Sequence, residues 1–221
     1  MLTECLAETD HKDEAAALFE EYINNHDDKD ITALSYLGDI YVEMEDYEKA
    51  LSYLYQAESL GRNDVWININ TGYALIKTNN LEKAAEYTKK ALEVSEEDDD
   101  YILSRLGYLY FKLEKYDEAV LYLEKAYNMD KNNDWTAYYL GKAYRKINKI
   151  DKAVNILESI LERIEYKGYV EMELAICYSL LNNKEKADFY LNNAKLLVED
   201  EMKLEEAEQL IQLMNNPKYF S

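Results

Sequence analysis

Proline is nearly absent from this chain, with one residue in 221, and glycine is scarce at six. Frequent bends and loop-rich β architectures draw on both, so helices joined by short turns are favoured. Cysteine occurs twice, at Cys5 and Cys177, and no CxxC pair exists, which rules out a disulfide framework. His11 and His26 are the only histidines, leaving almost no raw material for zinc binding or general-base chemistry. No apolar run reaches the length of about 18 residues that a transmembrane helix needs. The opening MLTECLAETDHKDEAAALFEEY lacks the basic and apolar regions of a secretory signal. Positive charge is short as well. Against 45 Asp and Glu stand 25 Lys and Arg, for a net charge of −20, and such a chain repels phosphate. Nucleic acid is therefore disfavoured as the main partner. There is no P-loop, no GxGxxG and no Ser/His/Asp arrangement, so an enzyme is not expected. The expectation is a reduced, cytoplasmic protein with no cofactor, no metal and no membrane attachment.

What the chain does contain is a period. Gly38, Gly72, Gly107 and Gly141 are spaced by 34, 35 and 34 residues, and a further 34 reaches Ala175. Twelve residues after each rung stands an alanine: Ala50, Ala84, Ala119, Ala153 and Ala187. Four residues beyond each alanine come Leu54, Thr88, Leu123, Leu157 and Leu191. Small residues at two fixed points per period suit paired antiparallel helices at their closest approach, and the large ones fill the space between pairs. Such regularity predicts a solenoid of helical hairpins.

The motifs Leu37-Gly38-x2-Tyr41 with Ala50-x3-Leu54, Leu106-Gly107-x2-Tyr110 with Ala119-x3-Leu123, and Leu140-Gly141-x2-Tyr144 with Ala153-x3-Leu157 resemble the tetratricopeptide repeat family. Looser copies are Thr71-Gly72-x2-Leu75 with Ala84-x3-Thr88, and Leu174-Ala175-x2-Tyr178 with Ala187-x3-Leu191. The family's early Trp and its repeat-end Pro are missing. The resemblance implies an all-α, right-handed solenoid of helix-turn-helix repeats at 31–64, 65–98, 100–133, 134–167 and 168–200. Residues 1–29 read as an incomplete repeat, with Ala16 one period before Ala50, a short helix over 2–9 and a longer one over 12–25. Residues 201–216 form an amphipathic helix ending before Pro217, expected to cap the last apolar face. Asp30, Asp64, Asp99 and Asp134 stand at or beside the first-helix starts, as N-capping requires.

The family's first helices line a concave face, with ligand contacts from six positions per repeat. Mapped onto this chain, those thirty positions carry ten aromatics, including both tryptophans, and six cations against three anions. They sum to +3 while the rest of the chain carries −23. The candidate peptide-binding residues are Trp66, Asn70, Tyr73 and Lys77; then Tyr101, Arg105, Tyr108 and Lys112; then Trp135, Tyr138, Tyr139, Lys142, Arg145 and Lys146; and Tyr169. Lys and Arg would meet carboxylates or phosphates, and Tyr and Trp supply apolar area at low entropic cost. The expected partner is a protein or peptide with acidic groups interleaved with apolar ones. Two further readings stay open: a tryptophan here packs between neighbouring first helices, and a cation here neutralises an acid on an adjoining helix. Some relatives bind a chaperone's terminal carboxylate through Lys and Asn at the positions of Ser35 and Asp39. Asn70 and Arg105 match that clamp but its anchoring pair is absent. Alternatives to a peptide-binding module are a peptide-sensing domain of a larger regulator and a scaffold that self-associates through its ends. Glu96 to Asp100 lacks the D-x-D-x-D-G spacing of a calcium loop and reads as a solvated turn.

Overall fold

The computed structural model describes residues 11–25 and 30–214, and among these there are twelve α-helices and no strand. The chain divides into two compact units, Met1–Leu113 and Glu114–Ser221. The first holds α1 (Lys12–Asn25), α2 (Ile31–Glu43), α3 (Tyr47–Ser59), α4 (Val65–Lys77), α5 (Leu81–Val94) and α6 (Asp100–Lys112). In the second are α7 (Tyr116–Met129), α8 (Asp134–Lys146), α9 (Ile150–Ile160), α10 (Lys167–Leu180), α11 (Lys184–Leu197) and α12 (Glu201–Met214). The boundary falls in the turn inside the expected 100–133 repeat. The short helix read over 2–9, Cys5 and His26 lie outside the described residues.

Short polar side chains start several of the helices. Asp30 accepts hydrogen bonds from the backbone N–H groups of Thr32 (2.8 Å) and Ala33 (3.2 Å), Asp64 from Ile67 (3.0 Å), and Asp99 from Ile102 (3.0 Å). At α8 the cap is Asn133, which accepts from Thr136 N–H at 3.0 Å. Asp134 instead opens the helix and receives Arg163 Nε at 2.6 Å. Each such cap contributes roughly 0.5–2 kcal/mol. The turns inside the hairpins share one device. Glu45, Asn79, Glu114, Asn148 and Asn182 all have φ between 56° and 61°. The next N–H reaches back five residues at four of these turns, as in Asp46 to Tyr41 (2.9 Å) and Asn183 to Tyr178 (2.9 Å). That bond closes the helix with one left-handed residue, and asparagine tolerates the conformation better than glutamate.

The glycine ladder has a direct steric cause. A Cβ at Gly38 would lie 2.7 Å from Leu54 Cγ, and one at Gly141 would lie 2.6 Å from Leu157 Cγ. At Gly72 the facing residue is Thr88, whose Oγ1 is 3.0 Å away. Leu54 and Leu157 are fully buried, so neither can yield to an added methyl.

A second repeating contact sets the register. Tyr41 donates to Glu20 at 2.6 Å, Tyr144 donates to Glu124, and Tyr178 donates to Glu158 at 2.6 Å. Glu124 and Glu158 stand five residues after Ala119 and Ala153, and Glu20 stands five after Ala15. Ala15 is fully buried and Ala16 follows it at 3% exposure, as Val120 follows Ala119. The small position of the incomplete repeat is therefore Ala15, not Ala16, and its step to Ala50 is 35. Helix α12 lays Leu204, Ala207 and Ile211 against Met172, Ala175 and Ile176 of α10 and Ala194 of α11, covering the last apolar face.

Candidate functional site

In the first unit, Trp66, Asn70, Tyr73 and Lys77 follow one another at steps of four, three and four along α4. Tyr101, Arg105, Tyr108 and Lys112 do the same along α6, so each quartet occupies one helix face. The structure brings the middle of the two quartets together. The Arg105 guanidinium carbon lies 5.1 Å from the Tyr73 ring centroid and 4.8 Å from that of Tyr101. Its Nε is buried and has no hydrogen-bond partner among the described residues. The guanidinium is thus flanked by two rings, with no acceptor for its Nε–H among the described residues. Lys77 places its ammonium over Tyr73 (5.4 Å) and Tyr47 (5.9 Å). Lys112 is exposed at the end of α6, and Tyr108 is half-buried.

Asn70 is engaged elsewhere. Its Nδ2 donates to Asp39 Oδ1 at 2.8 Å, so the residue matching the carboxylate clamp faces an acid of the protein itself. Asp39 lies in a cleft of about 310 Å³ lined by Thr32, Ser35, Tyr36, Asp39, Arg62 and Trp66. Trp66 meets Tyr36 edge-on at 6.3 Å, and Tyr36 stacks on Phe19 at 6.1 Å. Trp66 thus combines both readings of it, packing on the core of the first unit and lining open space.

The second unit arranges its cations differently. Arg145 Nε donates to Glu173 Oε2 at 2.8 Å, and Lys142 Nζ lies 3.3 Å from Glu173 Oε1. Glu173 is 3% exposed. Burial alone would push its carboxyl up, but the charges and hydrogen bonds of Arg145 and Lys142 outweigh that and hold it below the usual range. Arg145 is likewise raised, since Glu173 overrides the lowering effect of burial. Cys177, next to this cluster, is pushed up to about 12 by burial and by Glu173. Within the protein, Arg145 and Lys142 are both matched by Glu173. Around them, Trp135 packs on Tyr139 (4.8 Å), Tyr139 on Tyr138 (5.4 Å), and Tyr138 on Tyr166 (5.5 Å). Lys146 is exposed, with its ammonium 5.5 Å from the Tyr116 ring. Tyr169 belongs to the cluster under α12, with Lys203 over its ring at 5.1 Å.

Sequence reasoning counted Glu173 and Asp39 only as anions among thirty positions and gave neither a role. The available signal was their setting. Each interrupts an apolar stretch, Met172-Glu173-Leu174-Ala175 and Leu37-Gly38-Asp39-Ile40, where a charge requires a partner. Among the described residues no three His, Cys, Asp or Glu form a group that could hold a metal ion, and no helix is long and apolar enough to cross a membrane.

Sequence profiles described as tetratricopeptide repeat match residues 33–64, 69–134 and 110–164. With the glycine–leucine packing just described, they show that the chain belongs to the tetratricopeptide repeat family and has an all-α fold of the α-solenoid type. Two curated proteins are similar to it. One is the BBSome complex member BBS4 of Bos taurus, 34% identical over 97 residues, covering 44% of this chain and 18% of that protein. The other is the STIP1 homolog of Dictyostelium discoideum, 33% identical over 107 residues, covering 46% and 19%. The chain thus spans less than a fifth of either relative. Among solved structures it is similar to YrrB, a TPR protein with an unusual peptide-binding site, with a TM-score of 0.75 at 20% identity over 88% of this chain and 99% of that one. MamA of AMB-1 gives 0.68 at 23% identity over 79% and 96%. At these identities the likeness is one of fold.

Proposed function

We propose that this protein is a non-catalytic, cytoplasmic interaction module whose first unit captures an acidic segment of a partner protein. Arg105 is the anchor, and Tyr73 and Tyr101 are its walls. The observation that carries this reading is the Arg105 guanidinium stacked between two rings with its buried Nε lacking an acceptor. The Nε itself is buried, so a ligand carboxylate meets the terminal guanidinium N–H groups, and a charge-assisted bond in an aromatic setting is stronger than an exposed ion pair. Lys77 and the exposed Lys112, the last residues of α4 and α6, extend the positive face, and Tyr108 adds apolar contact. In the second unit Trp135, Tyr138, Tyr139 and Tyr169 contribute packing, and Lys146 is an exposed cation one turn beyond Lys142 on α8.

Two pools of nine-residue fluorescent peptides test this, one with Asp-x-Glu fixed at the centre and one with Asn-x-Gln. The acidic pool should bind at least tenfold more tightly, and Arg105→Met should remove the preference while leaving the helical signal and urea midpoint nearly unchanged. Equal binding of the two pools, or full retention of the preference in the variant, overturns the reading.

A further inference from the structure

The cleft beside Asp39 has the opposite polarity to the Arg105 stack, and none of the comparisons accounts for it. Its volume of about 310 Å³ is at the small end for ligand sites, suited to one side chain rather than a whole small molecule. The charged groups around it can be followed one by one. From α1, Lys12 pairs with Glu43 of α2 at 2.9 Å. In the connection between α3 and α4, Arg62 pairs with Asp64. From α4, neutral Asn70 donates to Asp39 Oδ1. Both cations are thus matched by other carboxylates, although Arg62 itself lines the cleft, and with Asp39 the group of Lys12, Arg62, Glu43, Asp64 and Asp39 has one more carboxylate than cations. Beside it stand Tyr36 and Trp66, whose ring faces favour a cation over a neutral group.

We propose that this cleft binds the cationic side chain of a lysine or arginine in the partner segment, with Asp39 as counter-ion and Tyr36 and Trp66 as aromatic walls. The proposal rests on reading the α2, α4 and α6 surface as a ligand face. It gives the ligand a second feature, a positive side chain set apart from the acidic group that Arg105 takes. Proton linkage supports the assignment. Burial first, and Glu43 second, push the Asp39 carboxyl up to about 6, against the lowering effects of Asn70 and Lys12. The lowering effect of Lys12 does not offset burial and Glu43, and an entering ammonium or guanidinium favours the ionised form. Cation affinity therefore rises with pH and levels off above about 6.

Trp66 emission reports occupancy once Trp135 is replaced by Phe. Three blocked tripeptides, Ac-Gly-X-Gly-amide with X as lysine, arginine or norleucine, separate the two cations from a neutral chain of similar length. At pH 7.5 a charged tripeptide should bind at least tenfold more tightly than the norleucine one. That preference should fall roughly tenfold for each pH unit below about 6. Asp39→Asn should abolish it. Tyr36→Leu, a change at a side chain already 36% exposed, should weaken it while the pH dependence persists. Equal response to all three tripeptides, a charge preference that survives Asp39→Asn, or no response overturns the proposal. The tripeptides carry no acid, so their result stands apart from that of the acidic pools, and either idea can fail without the other.

Discussion

Arg105 in the first unit and Arg145 in the second begin from the same ingredients, a guanidinium on a first helix among tyrosines. They differ in what surrounds them. Arg145 has Glu173, 28 residues later in the chain, at 2.8 Å. Arg105 has the rings of Tyr73 and Tyr101, with its buried Nε unpartnered. One arginine is neutralised by an acid of the protein itself, and the other is flanked by two rings with no ion pair among the described residues. A count of cations by repeat position gives both the same weight, although one acid decides which of them is available.

The largest expected effect comes from removing that acid. Glu173→Ala leaves Arg145 charged and buried without its partner and should cost about 3–5 kcal/mol in urea denaturation. Arg105→Met should cost less than about 1 kcal/mol, since no ion pair is lost. Replacing Arg145 and Glu173 together by Met should recover most of the loss, because a buried pair exchanged for apolar side chains is often neutral. If Glu173→Ala cost no more than Arg105→Met, the contrast between the two arginines would disappear.

A smaller effect separates the rungs of the ladder. Gly38→Ala and Gly141→Ala drive a methyl into buried Leu54 and Leu157 and should each cost about 1–3 kcal/mol. Gly72→Ala, facing the Thr88 hydroxyl at 3.0 Å, should cost less than either. Equal midpoints for all three variants would show that the leucines relax freely.

The smallest effect is a pH dependence, and its sign differs between Glu173, which is buried, and Asp39, which is half-buried. Glu173 is held below its ordinary range, so its contribution is present above about pH 4.5 and is lost on further acidification. Asp39 is raised, so its ionisation opposes folding as the pH climbs from about 4 to about 6. Asp39→Asn should therefore match the wild type near pH 4 and be the more stable protein at pH 7, by urea midpoint. A wild type that gains on the variant as the pH rises would reverse the assignment.

The repeat was legible because it is a local pattern written several times. A glycine every 34 or 35 residues, with a leucine or threonine sixteen positions on, needs nothing beyond the chain to be recognised, and the steric contacts at Gly38 and Gly141 are its cause. Capping residues were legible for the same reason, although at α8 the cap is Asn133, one residue before the expected Asp134. The offset of the incomplete repeat was not, because Ala15 and Ala16 both fit a small position. Only the hydrogen bond from Tyr41 to Glu20 distinguishes them.

The sequence by itself determined the helical hairpin, its period and which helix faces are rich in aromatics and cations, since each follows from spacing along one helix. Tertiary structure alone decided the state of each charge. Lys142 and Arg145 are matched by Glu173, Asn70 is turned to Asp39, Lys12 is paired with Glu43, and Arg105 is left between two rings. The physical reason is range. A helical pattern is fixed by neighbours three and four residues away, whereas an ion pair forms between groups about 30 residues apart that meet only when one repeat packs on the next.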